Sequence, residues 1–215
     1  MSFLTMLGTM SSGILKTLTI FFLTLLFSLP LGFIVSFGRM SKNPVIRNIV
    51  KVYISIMRGT PLMLQLLVWY FGPYYLFHIP IRGYRFTAII LGFTFNYAAY
   101  FGEIFRAGIE SMPLGQYEAA KVLGYSKVQT FFRIILPQVI KRILPAVTNE
   151  VITLVKDTSL AFSLAYSEVF SIAKQISASQ TSFMPFLIAG IFYYVMNYAV
   201  AFGMEALENK MSYYR

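Results

Sequence analysis

Residues 17–38 read TLTIFFLTLLFSLPLGFIVSFG, 22 residues between Lys16 and Arg39 without a single charge. A bilayer core is crossed by about 20 apolar residues of helix, which also satisfies its own backbone hydrogen bonds. The stretch therefore predicts a membrane-spanning α-helix. Two further uncharged intervals are as long: 23 residues between Arg58 and Arg82, and 30 between Lys174 and Glu205. Over 215 residues the chain is 57% hydrophobic and only 12% charged, about half the charged share of soluble domains. A water-soluble globule is excluded, and the chain reads as an all-α, multi-spanning integral membrane protein forming one domain over residues 1–215.

Working outward from this stretch, five spans are expected, at about 13–38, 52–71, 86–105, 143–163 and 183–204. Pro30 predicts a kink in the first, since proline is tolerated in membrane helices. The apolar segment 1–10 ahead of it predicts an interfacial or disordered end, and no cleavable signal peptide is expected. The second span carries Arg58-Gly59-Thr60-Pro61, which reads as a break within a helix. Aromatic residues between Gly72 and Arg85, among them Tyr74, Tyr75, Phe77 and Tyr84, suit a membrane interface.

The net charge of +10 would fit nucleic acid in a soluble protein, but topology accounts for it here. Thirteen of the 18 basic residues fall in the 39–58 loop, the 106–142 loop and the C-terminal tail, and five on the opposite side. The excess of Lys and Arg in cytoplasmic loops then places the N-terminus outside and the C-terminus in the cytoplasm. Nucleic acid is not an expected partner, whereas membrane lipid is. Without cysteine, and with His78 as its one histidine, the chain offers no disulfide, thiolate nucleophile or His-rich metal site. No catalytic residue and no metal ligand is expected.

The 106–142 loop is long for so economical a chain. It contains Glu118-Ala119-Ala120, then three residues, Gly124, nine residues, Ile134, one residue, and Leu136-Pro137. A short helix between Pro113 and Gly124 is expected, with Ala119 and Ala120 allowing close approach and Gly124 making the turn that ends it. Too small to fold alone, it needs a partner.

With this spacing the chain resembles the inner-membrane permeases of ATP-binding-cassette importers, whose EAA loop it matches at every anchor. Arg58-Gly59-Thr60-Pro61, Glu103-Ile104-Phe105-Arg106-Ala107-Gly108-Ile109, Gly115-Gln116-Tyr117-Glu118-Ala119-Ala120 and Lys156-Asp157-Thr158-Ser159-Leu160 extend the resemblance to the polar amino acid uptake branch, the histidine, glutamine and arginine permease-like proteins. The resemblance implies a type I importer permease fold of five helices in the bacterial cytoplasmic (inner) membrane. It implies that Glu118, Ala119, Ala120 and Gly124, with Gln116 and Lys121 beside them, form a coupling helix seated in a groove of an ATPase subunit. It further implies a second permease chain, two ATPase subunits and an extracytoplasmic amino acid-binding protein. No phosphate-binding G-x-x-x-x-G-K-[ST] loop occurs in this sequence, so ATP and Mg2+ belong to the partner and this chain carries no cofactor.

Polar residues inside a span are costly and mark pathways or helix contacts. In the fourth span Asn149, Glu150, Thr153, Lys156 and Asp157 follow offsets of 0, 1, 4, 7 and 8, one stripe of a helix. Glu150 lies roughly 14 Å beyond Lys141, near the midplane, at a rise of about 1.5 Å per residue. A carboxylate there suits the ammonium or guanidinium of a polar or cationic amino acid; the alternative is a buried carboxylate bonded to a neighbouring helix or a second protomer. Asp157, further out, is either a substrate contact or a solvated helix end. Asn96 and Tyr100 share a face of the third span, where a pathway role and ordinary interhelical hydrogen bonding both remain open. Glu103 and Arg106 are expected to pair. A membrane enzyme is disfavoured by the missing nucleophiles, and an ion-coupled or passive transporter by the lack of an inverted repeat.

Overall fold

The computed structural model describes residues 3–211, and every regular element among them is helical. Met1, Ser2 and the tail residue Arg215, used above in the charge count and the leading segment, lie outside the described residues.

The first helix, α1, runs Phe3–Arg39 without interruption. The expected interfacial or disordered leader is thus replaced, from residue 3 onward, by nearly three more turns of the same helix, and Pro30 sits inside it. Two local reasons account for this. The hydroxyls of Thr9, Ser11 and Ser12 donate to carbonyls three or four residues back, so the polar residues are satisfied within the helix. Met6 and Met10 are buried in a small apolar cluster with Val169, Ile172, Ala173 and Ile188.

A tight turn at Ser41 leads into α2 (Pro44–Gly59). Asn43 caps it by accepting from the Val45 amide at 2.9 Å, and Pro44 occupies the first turn, where its missing N–H costs nothing. Thr60 and Pro61 are extended, as expected of a residue preceding proline, and α3 (Leu62–Phe77) departs at 111° to α2. The expected second span is therefore a sharply bent pair that begins at Pro44 and ends at Phe77. His78 closes α3 in the left-handed region, at φ 53°.

The long α4 (Arg85–Glu110) is the centre of the bundle. Phe93, Tyr97 and Phe101 are fully enclosed by Ile20 and Phe21 of α1, Leu66 of α3, and Val139, Ile143, Val147 and Val151 further along the chain. Gly32 and Gly102 let α1 and α4 meet backbone to backbone: a Cβ on Gly32 would lie 2.8 Å from Phe101 Cβ and 3.2 Å from the Ala98 carbonyl oxygen.

The loop after α4 holds α5 (Leu114–Val122), ended by Gly124 at φ +81°. Ser126 and Gln129 form a reciprocal cap that starts α6 (Lys127–Gln129). The chain then passes through one π-helical stretch (Thr130–Ile135) into α7 (Leu136–Asp157) and a 3-10 segment (Thr158–Leu164). The helix expected to begin near Ile143 thus begins earlier, and its outer part is 3-10. The sequence reading did not foresee α8 (Val169–Gln180); α9 (Met184–Lys210) follows it.

Among the described residues, α1, α4 and α9 are long and apolar enough to cross a membrane, and the α2–α3 pair passes the same test only when taken together. Any 18-residue window of α7 carries three or more charges, so apolarity alone does not mark it as a span. Apolar surface is plentiful outside: Phe22, Leu26 and Ile34 on α1 and Leu187, Ile191, Tyr194 and Tyr198 on α9 are exposed. Such a surface suits hydrocarbon or a partner chain rather than water.

Candidate functional site

Two features stand out: a charged cleft beside the α2–α3 break, and the helix that projects from the loop.

The cleft, of 490 Å³, lies where the end of α2 meets α4 and α7. Arg58 enters it because it directly precedes the break, and its guanidinium sits 5.1 Å from the centroid of Tyr100. Glu103 is paired with Arg106 at 2.7 Å and with Arg39 at 3.6 Å, as expected for the first partner, and Arg106 also reaches Glu110. Arg142 donates to the Ser111 carbonyl at 2.8 Å, tying α7 to the end of α4. Glu150 faces the same space, half-buried. Among the described residues it has no hydrogen bond or ion pair, and it lies within the electrostatic reach of Arg58. Among the described residues, one carboxylate and one guanidinium without an ion pair therefore share a cleft whose other lining acid, Glu103, is already paired. Such a pair can bind a solute bearing both charges.

Of the six expected pathway residues, the structure brings Glu150 and Tyr100 together here. Asn149 is exposed on α7, and Thr153 donates back to its carbonyl at 2.9 Å. Asp157 ends α7 and accepts from the buried Tyr97 hydroxyl at 2.7 Å, a strut between α4 and α7. Asn96 resolves differently from the pathway expectation. Only 4% exposed, it donates to the Met57 carbonyl at 2.9 Å and to Gln65 Oε1 at 3.0 Å. Gln65 in turn donates to the carbonyls of Met57 and Thr60 and to the Thr60 hydroxyl. The two amides satisfy backbone groups that the helix break leaves without partners, so Asn96 is spent on holding the break.

Sequence reasoning missed three residues. Arg58 was read only as the end of a break, although a charge just before a sharp turn beside a polar face was the available signal. Arg142 had no signal beyond its charge. Glu168 is fully buried, caps α8 by accepting from the amides of Phe170 and Ser171, and accepts from the Tyr193 hydroxyl at 2.7 Å. It pins α8 to α9, and nothing in its local sequence announces this.

The projecting helix α5 is open on most sides. Gln116, Glu118, Ala119 and Lys121 are exposed, with Val122 at 87% and Leu123 at 73%. Ala120, at 1%, faces inward, and its carbonyl accepts from the Tyr125 amide at 3.0 Å. Gly124 makes this return possible, since its φ of +81° is strained for residues with a Cβ. Of the residues expected to dock, all but Ala120 and Gly124 thus present side chains to the exterior. Beneath α5 a second cavity of 720 Å³ opens toward the start of α7.

Comparison with known proteins bears on both features. Residues 28–213 match the family described as binding-protein-dependent transport system inner membrane component. The L-cystine transport system permease protein TcyB of Bacillus subtilis is 33% identical over 95% of this chain and 87% of its own. The putative glutamine transport system permease protein GlnP of Rickettsia typhi is 35% identical over 93% and 91%. Among solved structures, an amino acid ABC transporter with histidines superposes with a TM-score of 0.85 at 32% identity, covering 98% of this chain and 99% of that one. The inward-facing MetNI methionine ABC transporter, at 18% identity and a TM-score of 0.79, shares the fold.

Proposed function

Because the chain belongs to the binding-protein-dependent transport system inner membrane component family, we propose that it is the transmembrane subunit of an ATP-driven amino acid importer. The observation that carries the reading is α5. A nine-residue helix that exposes Leu114, Glu118 and Val122 while burying only Ala120 has no internal reason to project, and a receiving groove on another protein supplies one. On this reading a separate ATPase subunit holds α5, binds ATP and Mg2+, and transmits its closure to α4 and α7 through the ends of the loop.

Two such ATPase subunits, a second permease chain and an extracytoplasmic binding protein complete the assembly. The membrane is crossed five times, by α1, the α2–α3 pair, α4, α7 with its 3-10 extension, and α9. The N-terminus lies outside and the C-terminus in the cytoplasm of a bacterial cell, consistent with 13 of the 18 basic residues on the cytoplasmic side. The solute is a polar or cationic amino acid, its ammonium or guanidinium received by Glu150 and a carboxylate by Arg58.

The test is coexpression with candidate ATPase subunits, followed by uptake in proteoliposomes. The importer reading expects a stably retained ATPase, lost in Glu118→Lys, and uptake that requires both ATP and the binding protein. Uptake driven by an ion gradient without ATP would overturn it.

A further inference from the structure

The cavity beneath α5 is lined by Arg133, Lys141 and Arg142 and by no carboxylate. Arg142 is engaged with Ser111, but Arg133 and Lys141 form no hydrogen bond or ion pair among the described residues. The Lys141 ammonium is shut off from solvent without an acceptor, so this residue meets the open cavity through its stem and adds its charge from behind the wall. A buried, unpaired ammonium is expensive, and an anion seated in the adjoining cavity offsets part of that cost. The rest of the lining is mixed: the amides of Gln116 and Gln138, 3.4 Å apart, and the apolar side chains of Ile134 and Pro137. Phe132 and Ile140, next in sequence to Arg133 and Lys141, remain exposed, an apolar surface that hydrocarbon would cover. A ligand matching this lining has a compact negative head with hydrogen-bond acceptors and an apolar body.

We propose that this cavity binds the phosphate of an anionic phospholipid, held by Arg133 and Arg142 with the Lys141 charge behind them, its acyl chains lying along Ile140 and Phe132. Basic pockets among membrane helices on the cytoplasmic side select anionic headgroups in this way. The orientation proposed above enters only in naming the leaflet; the charge and shape of the cavity do not depend on it. Since the cavity lies directly under α5, a lipid seated there would also brace the helix against α7, making the device sensitive to membrane composition.

The experiment uses the full-length permease, alone and with its ATPase partner, in native mass spectrometry with phosphatidylglycerol or phosphatidylcholine added. The wild type is expected to retain phosphatidylglycerol in preference to phosphatidylcholine, by a margin that shrinks as salt is raised. Each of Lys141→Gln and Arg133→Gln is expected to weaken retention by about fivefold, the worth of one cation near an anionic surface. Lys51→Gln, which removes an exposed cation of α2 outside the cavity, is expected to leave it unchanged. Equal retention of the two lipids by the wild type, a measurement that needs no variant, overturns the proposal, as does an equal loss in Lys51→Gln. Displacement of the lipid by millimolar inorganic phosphate would make the cavity a soluble-phosphate site, and its expulsion when the ATPase binds would make it a protein contact. Either result overturns the lipid assignment while leaving the importer reading intact.

Discussion

Replacing Asn96 by leucine separates the two roles that its position allows. The change keeps the side-chain volume nearly constant, so repacking contributes little. Two hydrogen bonds disappear, to the Met57 carbonyl and to Gln65 Oε1. The Met57 carbonyl keeps its bond from Gln65 at 2.9 Å, but Gln65 Oε1 is left buried without a donor. Interhelical hydrogen bonds in membranes contribute about 0.6 kcal/mol each, and an orphaned buried acceptor costs about 1–3 kcal/mol. The loss is therefore expected to be about 2–4 kcal/mol, most of it from the orphan. A second change, Gln65→Leu, removes that orphan but also takes away the Met57 carbonyl's remaining donor and the partner of the Thr60 groups. The double variant should be less destabilised than the sum of the single losses by about 0.6 kcal/mol, the one bond that both singles break, because the orphan it removes is offset by the one it creates at the Met57 carbonyl. Thermal unfolding of detergent-purified protein measures this, with uptake assayed in parallel. A structural role predicts a clearly lowered Tm and reduced uptake with little change in KM for the solute, because the break that positions Arg58 loosens. An unchanged Tm with a raised KM would refute the reasoning and return Asn96 to the solute route.

Gly32→Ala places a methyl 2.8 Å from Phe101 Cβ and 3.2 Å from two backbone atoms of α4, none of which can swing away. A destabilisation of about 1–3 kcal/mol is expected, read as a lowered Tm, and an unchanged Tm would show that α1 and α4 do not meet there. Glu150→Gln removes the cleft's one unpaired carboxylate without changing its shape; amino acid uptake should fall at least tenfold while Tm holds, and normal uptake would remove Glu150 from the route. Gly124→Val forces a branched residue to φ +81° where no neighbouring atom lies within 4 Å. The strain of about 1–2 kcal/mol stays local. ATPase retention should fall sharply while the Tm drops by only a few degrees, and full retention would show that the shape of this turn does not matter for docking.

The legibility of the sequence followed the range of the interactions involved. Uncharged runs and the spacing of Glu118, Ala119, Ala120 and Gly124 report local facts: the length of a helix, its solvent, the place where a turn needs glycine. Hence the membrane class, the short loop helix and its end were readable. The extent of α1 through residues 3–10 was not, because it depends on Met6 and Met10 finding α8, more than 150 residues away in the chain. Nor was the difference between Asn96 and Glu150, two polar residues in apolar stretches. One lies against the carbonyls freed by the helix break and the other against an open cleft.

By itself, then, the sequence determined the solvent this chain folds in, the places of its long apolar helices and short loop helix, and the family it resembles, since hydropathy, charge and motif spacing act over a turn or two of helix. Tertiary structure alone decided how each polar group is used. The 111° bend carries Arg58 to Tyr100 and toward Glu150, buries Asn96 and Gln65 in its own repair, and sets Glu168 as a pin between α8 and α9. A polar side chain's role depends on which partners reach it, and those partners come from helices far apart along the chain.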